Sequence, residues 1–500
     1  MPIFETIETK GVPIKVFTDQ VEESAREQLI QLAESGIAVG YVSAMPDVHW
    51  GSGATVGSVF ASENFIAPNA VGVDIGCGMA AVPIPTLKSE SLPLEKRLKI
   101  RDRIKSSIPL GMNSHTTPRK SSIMDNKSRS KWLSSTITKK TACQIGTLGS
   151  GNHFIELVSD SEDMVWIFLH SGSRNIGKVT AENYNKLAKS YLKRKGITPQ
   201  NRDLNFLEID SKEGQNYLLD MQWCQEYAME NRQEMLRIIA PIVTSITSHE
   251  PDFSRAVNIH HNYCSCEECT YYENGTEITK KLWITRKGAT SAKAGQLGLI
   301  PGSMGTGSYL VRGKGNPESW SSCSHGAGRT KSRIRAKKEI LQSDFEKSME
   351  GIVCDTSPAL RDEAPQAYKD INHVMQNQSD LVEIVTRFTP LINVKGFDEG
   401  KSEKKNSKIK VSLVNLDIFF PSIRAVSIFD SKSKSKSKWV DLEHWTLQPG
   451  GYSKGRKVNF WFQLSDEPEF MVFISSKILN ITDTEIQFEL ETVLKKKRII

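Results

Sequence analysis

The sequence predicts an α+β protein: a large sheet-rich domain with peripheral helices, followed by a small C-terminal β-rich domain. Three observations carry this. Short apolar runs rich in β-branched and aromatic residues, such as residues 164–169, are bounded by glycine-rich turns, the mark of buried strands. Residues 178–248 read as helical, and from Tyr217 to Ala240 apolar residues recur near the 3.6 spacing. After Gly396 the character changes: residues 398–410 are highly charged, and residues 411–494 alternate in short strands. The expected organisation is a main domain over 1–396, a charged linker over 397–410 and an appended β-rich domain over 411–500.

Composition narrows the class. A chain of 500 residues exceeds what one ordinary core needs, and 38% hydrophobic with 25% charged residues is a globular balance. No run approaches the roughly 18 apolar residues of a membrane span, so no membrane partner is expected. The N-terminus lacks the basic-then-apolar layout of a signal peptide. A net charge of +7 permits an anionic partner without requiring one. The eight cysteines are sparse and irregular, which fits reduced thiols, some of them metal ligands, and a cytoplasmic location.

In chain order, residues 21–35 predict an amphipathic helix, and residues 42–59 predict short strands with tight loops. Asp47 and His49 in that segment either touch a metal or substrate or form a structural loop pair. In residues 70–79, Asp74 and Cys77 lie three apart among glycines after a buried-strand pattern. A carboxylate with a thiolate suits a divalent ion of borderline softness, and a thiolate can bridge two ions; the alternative is a glycine turn around a core cysteine. Residues 87–140 are polar and helical. A glycine turn then leads into an apolar strand in which Asn152 faces opposite to His153 and shares a face with Phe154 and Glu156. His170 ends the 164–169 strand, just before a Ser/Gly loop and Arg174.

His260 and His261 sit side by side in the next strand, so one of them can enter a given site. The loop after them holds Cys264, Cys266 and Cys269, a spacing that could bind zinc or act in redox chemistry but has no second cysteine pair, leaving a plain surface loop as the alternative. Two small-residue loops follow. Residues 301–308 form one wall of an expected pocket. Residues 324–329 place His325 beside Gly326, Ala327 and Gly328, whose backbone can approach a phosphate, with Arg329 as a planar fork. Residues 331–345 predict a basic helix, and residues 353–396 a helix and a terminal strand. Beyond these, strands are expected at 411–420, 458–464, 470–474 and 485–490, with an exposed Lys/Ser hairpin or loop at 431–438.

With these residues in hand, the chain resembles the RtcB family of RNA-splicing ligases over about residues 11–396. The resemblance is carried by MPDVHWGSGATVGSV, AVGVDIGCGM, GTLGSGNHFIEL, LHSGSRNIG, NIHHNY, TRKGATSAKAGQLGLIPGSMGTGS, CSHGAGR, AYKDI and VKG. It implies a GTP-dependent ligase with two manganese ions. Asp74, Cys77 and His153 would hold one ion, and Cys77, His170 and His261 the other. His325 would be the nucleophile that accepts GMP, with Arg174 and Arg329 meeting phosphates. Asn152, His153, Phe154, Ile155, Glu156, His261, Asn262, Pro301, Gly302, Ser303, Met304, Ser308, His325, Gly326, Ala327, Gly328, Tyr368 and Lys395 would bind the guanylate. The implied substrates are RNA ends, a 2′,3′-cyclic phosphate or 3′-phosphate and a 5′-hydroxyl, joined in tRNA splicing or RNA repair, with an archease-like activator as a further partner. Ser52 departs from the lysine that many members carry there. The alternatives are an enzyme that stops at guanylyl capping of the 3′-phosphate and a non-catalytic RNA-binding relative.

Overall fold

In the computed structural model, residues 3–273 and 275–397 are described throughout. Beyond them the described residues are five strands: Ile423–Asp430, Val440–Asp441, Lys457–Leu464, Phe470–Ile481 and Ile486–Lys497. The chain divides into two compact units, Met1–Asp398 and Glu399–Ile500. In the second, the five strands form one antiparallel sheet, in keeping with a β-rich C-terminal part. The expected linker at 398–410, strand at 411–420 and Lys/Ser segment at 431–438 lie outside the described residues.

The first unit is α+β, as the sequence predicts. Its centre is a seven-stranded sheet in the spatial order Val257–His260, Gly78–Lys88, Met164–Ser171, Phe154–Ser159, Val382–Lys395, Ser308–Gly313 and Leu297–Ile300. Every neighbouring pair runs antiparallel. Period-two alternation gives this sheet two different faces. One face, with Val82, Ile155, Leu157, Ile167, Leu169, Ile392 and Val394, packs against Ile100 and Ile104 of helix Leu94–Ser107 and against Met235, Leu236 and Ile239 of helix Lys212–Thr247. Each such buried aliphatic side chain contributes roughly 1.5–3 kcal/mol.

The other face carries the functional side chains in register. Phe154 pairs with His170 on one side and with Lys395 on the other, and Glu156 pairs with Asn393. Directly paired residues share a face, so these five groups stand in two adjacent rows. A second sheet, in the order Glu5–Ile7, Ile14–Val16, Val39–His49, Val56–Ser62, Thr276–Lys287 and Asn262–Glu273, supplies a further wall.

Three local expectations need correction. The strand begins at Phe154, so Asn152 and His153 belong to the preceding turn and the alternation starts two residues later than expected. The cysteine segment is not a loop. It is the strand Asn262–Glu273, paired residue by residue with Thr276–Lys287, which puts Cys264 and Cys266 on one face and Cys269 on the other. The three thiols therefore cannot converge on one ion. The basic helix expected over 331–345 is two helices, Arg333–Glu339 and Gln342–Ser348. The chain turns extended at Ile340, which lets Ala336, Ile340 and Phe345 all enter a small core with Met304, Met349 and Leu360.

Candidate active site

A cavity of about 350 Å3 opens on the polar face of the seven-stranded sheet. That is within the size range of small-ligand pockets. Its walls come from the turn at Asp74, the sheet face, the loop at Pro301 to Met304, and the His325 to Arg329 segment.

At one end, five side chains form two overlapping triads, Asp74–Cys77–His153 and Cys77–His170–His261. The Cys77 sulfur lies 3.4 Å from His153 Nε2 and 3.2 Å from His170 Nε2. His170 Nε2 lies 3.2 Å from His261 Nε2, and His153 Nε2 lies 3.0 Å from Asp74 Oδ2. His153 Nδ1 donates to the Leu148 carbonyl at 2.9 Å, which turns its Nε2 toward Cys77 and Asp74. Burial, reinforced by neighbouring histidines, holds His170 and His261 well below the usual imidazole range, so both are neutral donors. Burial and the nearby Asp74 carboxylate push the Cys77 thiol well up, so a thiolate here calls for a cation. Neutral imidazoles, a carboxylate and a shared sulfur are a donor set that fits two divalent transition-metal ions. The turn is tight around this end: a Cβ on Gly172 would stand 2.2 Å from Asp74 Oδ1.

His325 stands beside the triads, its ring 4.9 Å from that of His261. Its Nδ1 lies 2.6 Å from Asp47 Oδ2, and the same oxygen accepts from the backbone N–H groups of His325 at 3.1 Å and Gly326 at 3.2 Å. Because a carboxylate only accepts, a ring proton sits on Nδ1 facing Asp47, which makes Nε2 the atom that carries the lone pair in the neutral ring. Burial alone would raise Asp47, but the His325 ring and its hydrogen bond hold the carboxyl below the usual range. Asp47 is thus on the strand Val39–His49, not in a loop, and is the residue that orients His325. Gly328 has φ +73°, and a Cβ there would stand 2.4 Å from the Asp47 carbonyl. Its smallness serves the close approach of two protein segments.

At the far end, Glu363 gathers charges. Lys395 Nζ donates to it at 2.8 Å, Tyr368 Oη at 2.9 Å, Arg329 at 3.4 Å, and Arg333 also pairs with it. Burial would raise Glu363, but Lys395 and Arg333 outweigh it and hold the carboxyl at about 2. Next to this network, Asn393 donates to Glu156 at 2.6 Å, yet burial pushes Glu156 up to about 8. A neutral Glu156 presents both a donor and an acceptor.

Most residues named from the motifs meet here. Asn152, Phe154, Glu156, Asn262, Gly302, Ser303, Met304, Ser308, Ala327, Tyr368 and Lys395 line the cavity, together with Pro301, Gly326, Gly328 and the donors described above. Three stand apart from it. Ile155 points into the helix-side core. His153 touches Cys77 and Asp74 without lining the cavity. Arg174 is held by Thr147 Oγ1 and the Gly111 carbonyl, away from the lining. Arg329 lines it, but its guanidinium is engaged by the carbonyls of Lys331 and Asp362 as well as by Tyr368 and Glu363. The sequence reading assigned no role to Glu363, Asn393, Arg333 or Lys287, although Lys287 lies within the quoted TRKGATS motif. Lys287 fills the space at Ser52, donating to the Ser52 carbonyl and to that of Asn69 at 2.8 Å, and burial brings it down to about 7.

Comparison with known proteins agrees with this picture. Residues 28–396 match the family described as tRNA-splicing ligase RtcB. The chain is 38% identical to the RNA-splicing ligase RtcB of Escherichia coli strain K12 over 416 residues, covering 79% of this chain and all of that one. It is 31% identical to the tRNA-splicing ligase RtcB of Aeropyrum pernix, covering 77% of this chain and 95% of the relative. Among the described residues, no helix is long and apolar enough to cross a membrane.

Proposed function

The chain belongs to the RtcB family and is an RNA ligase, and from that premise we propose that it joins 3′-phosphate or 2′,3′-cyclic phosphate RNA ends to 5′-hydroxyl ends through a guanylated His325. The observation that supports this most directly is the bare Nε2 of His325, oriented by Asp47 beside two overlapping donor triads. Asp74, Cys77 and His153 would hold one divalent cation and Cys77, His170 and His261 the other, with manganese the expected metal. Bound there, the cations supply positive charge where phosphoryl oxygens gain negative charge.

His325 Nε2 attacks the α-phosphorus of GTP; a P–N bond forms, the bond to the bridging oxygen breaks, and pyrophosphate leaves. Asp47 keeps the Nδ1 proton in place and stabilises the charge that grows on the ring. A 2′,3′-cyclic phosphate is first opened by water to a 3′-phosphate. The 3′-phosphate oxygen then takes GMP from His325, making an anhydride and freeing the imidazole. Attack by the 5′-hydroxyl expels GMP and leaves a phosphodiester. Glu156, Asn393, Tyr368 and Lys395 form the end suited to a purine, since a protonated carboxyl and an amide offer paired donors and acceptors. Arg174 and Arg329, whose guanidiniums already bond protein oxygens, contribute field at the phosphates rather than free forks.

The test is incubation of the full chain with radiolabelled GTP and manganese, then with a cyclic-phosphate RNA and a 5′-hydroxyl RNA. Covalent label on wild type, none on His325→Ala, and a joined strand are expected. A labelled 3′-end that is never sealed would make the protein a capping enzyme; no label on wild type would make it an RNA-binding relative.

A further inference from the structure

Behind the donor triads, the 36-residue helix Lys212–Thr247 carries two adjacent polar side chains, Asn231 and Arg232, both fully buried. On its inner side the helix sends Tyr217, Met221 and Trp223 into one core and Met235, Leu236 and Ile239 into another; its other fully buried charged side chain, Asp220, is answered by Ser130 and Tyr184. The polar pair sits where the two cores part. Burying a guanidinium is costly unless every donor is matched. Among the described residues Arg232 has no carboxylate at ion-pair distance, and its hydrogen bonds go to neutral groups.

The placement of those bonds is what requires explanation. Arg232 Nη1 donates to the carbonyls of Gly76 and Ser171, both at 2.9 Å. Its Nη2 lies 3.1 Å from His260 Nδ1, and its Nε donates to Asn258 Oδ1 at 2.7 Å. Gly76 precedes Cys77, Ser171 follows His170, and His260 precedes His261. Each segment that brings a donor to the second triad is therefore gripped one residue from that donor, at a main-chain carbonyl beside Cys77 and His170 and at the His260 ring beside His261.

Asn231 does the same for the first triad. Its Oδ1 accepts from the backbone N–H groups of Gly146 at 2.8 Å and Thr147 at 3.1 Å, in the loop whose Leu148 carbonyl orients His153. Its Nδ2 reaches the Gly172 carbonyl at 3.1 Å, and Gly172 abuts Asp74. A space-filling role would need none of this directionality.

We propose that Arg232, seconded by Asn231, is a positioning residue for the cation centre: it holds the residues next to Cys77, His170 and His261 at the spacing the ions require. This rests on the two-cation reading above. A planar fork suits the task, because it can bridge three chain segments at once, whereas an ammonium on a flexible stem cannot hold the same three groups in one plane. Groups that orient ligands in this way typically change metal affinity by about 10–100-fold when removed.

The experiment uses the full chain, stripped with a chelator and titrated with Mn2+ alone, with free Mn2+ followed by its paramagnetic resonance signal and the melting temperature of the metal-free protein recorded alongside. Wild type is expected to take up two ions. Arg232→Met and Arg232→Lys are expected to bind them about 10–100-fold more weakly. An arginine that only supports the fold would lower the metal-free melting temperature and leave the affinity unchanged; that outcome overturns the proposal. So does wild-type affinity in Arg232→Lys, which keeps the charge but loses the fork, and so does tighter binding in either variant. If Arg232→Met does not fold, Arg232→Lys decides alone. Uptake of fewer than two ions by wild type strikes the two-cation reading itself, and the positioning role falls with it.

Discussion

The two ends of the cavity are built on opposite principles. Around Glu363 every charge is answered within the protein: one carboxylate is met by Lys395, Arg333, Arg329 and the Tyr368 hydroxyl. Around Cys77 the donor atoms turn toward one another instead. Two neutral imidazole nitrogens face each other at 3.2 Å, and a sulfur and a carboxylate crowd the same space. The contrast separates a wall that is complete as it stands from a donor cluster that makes physical sense only with cations. His325 stands between, borrowing its orientation from Asp47 and its neighbourhood from His261.

The largest effect is expected at the donor end. Cys77→Ala removes the one atom common to both triads, so both ions should be lost together and ligation should fall by on the order of 10^4-fold or more, as for members of a unit that acts together. Metal analysis checks it; two ions per chain in that variant would break the contrast. Next is Asp47→Asn. With an amide in place of the acceptor the Nδ1 proton is no longer secured, and self-guanylation should slow by up to about 10^4-fold while metal content stays at the wild-type level. Single-turnover labelling measures it.

At the other end the effects should appear as stability. Glu363→Gln leaves Lys395 buried without a counter-charge and should cost about 3 kcal/mol in denaturant unfolding. Glu363 is held at about 2 against an ordinary 4.5, so its contribution is full above pH 4.5 and is lost as pH falls toward 2; the variant should lack that acid slope. The smallest effect sharpens the same point. Glu156 is raised to about 8, so the stability it contributes is full below pH 4.5 and is lost as pH rises through 8. Glu156→Gln should therefore gain on wild type across that interval, and parallel pH profiles for the two proteins would show that the carboxyl is not buried neutral.

Several features were legible before any coordinates. The strand at 164–169, the long helix around 217–240 and the β-rich character after 396 follow from periodicity, because backbone alternation and helical turn are local properties. The errors were also local. The segment holding Cys264, Cys266 and Cys269 reads as a loop because its polar and cysteine residues hide the strand, and pairing with Thr276–Lys287 overrides that weak propensity. The helix over 331–345 breaks at Ile340 because burying that side chain with Phe345 outweighs helical continuity.

By itself, the sequence determined which chemistry is on hand: a carboxylate and a thiol three residues apart, histidines at the ends of strands, and a histidine beside small residues. Donor type belongs to the side chain, and short spacing is visible along the chain. Only the tertiary structure decided that Asp47 holds His325 from 278 residues away, that Glu363 gathers Lys395 and two arginines, and that one buried arginine grips three ligand-bearing segments. Those contacts join segments that no local pattern links, and they exist because helices and loops pack against the sheets and bring distant residues together.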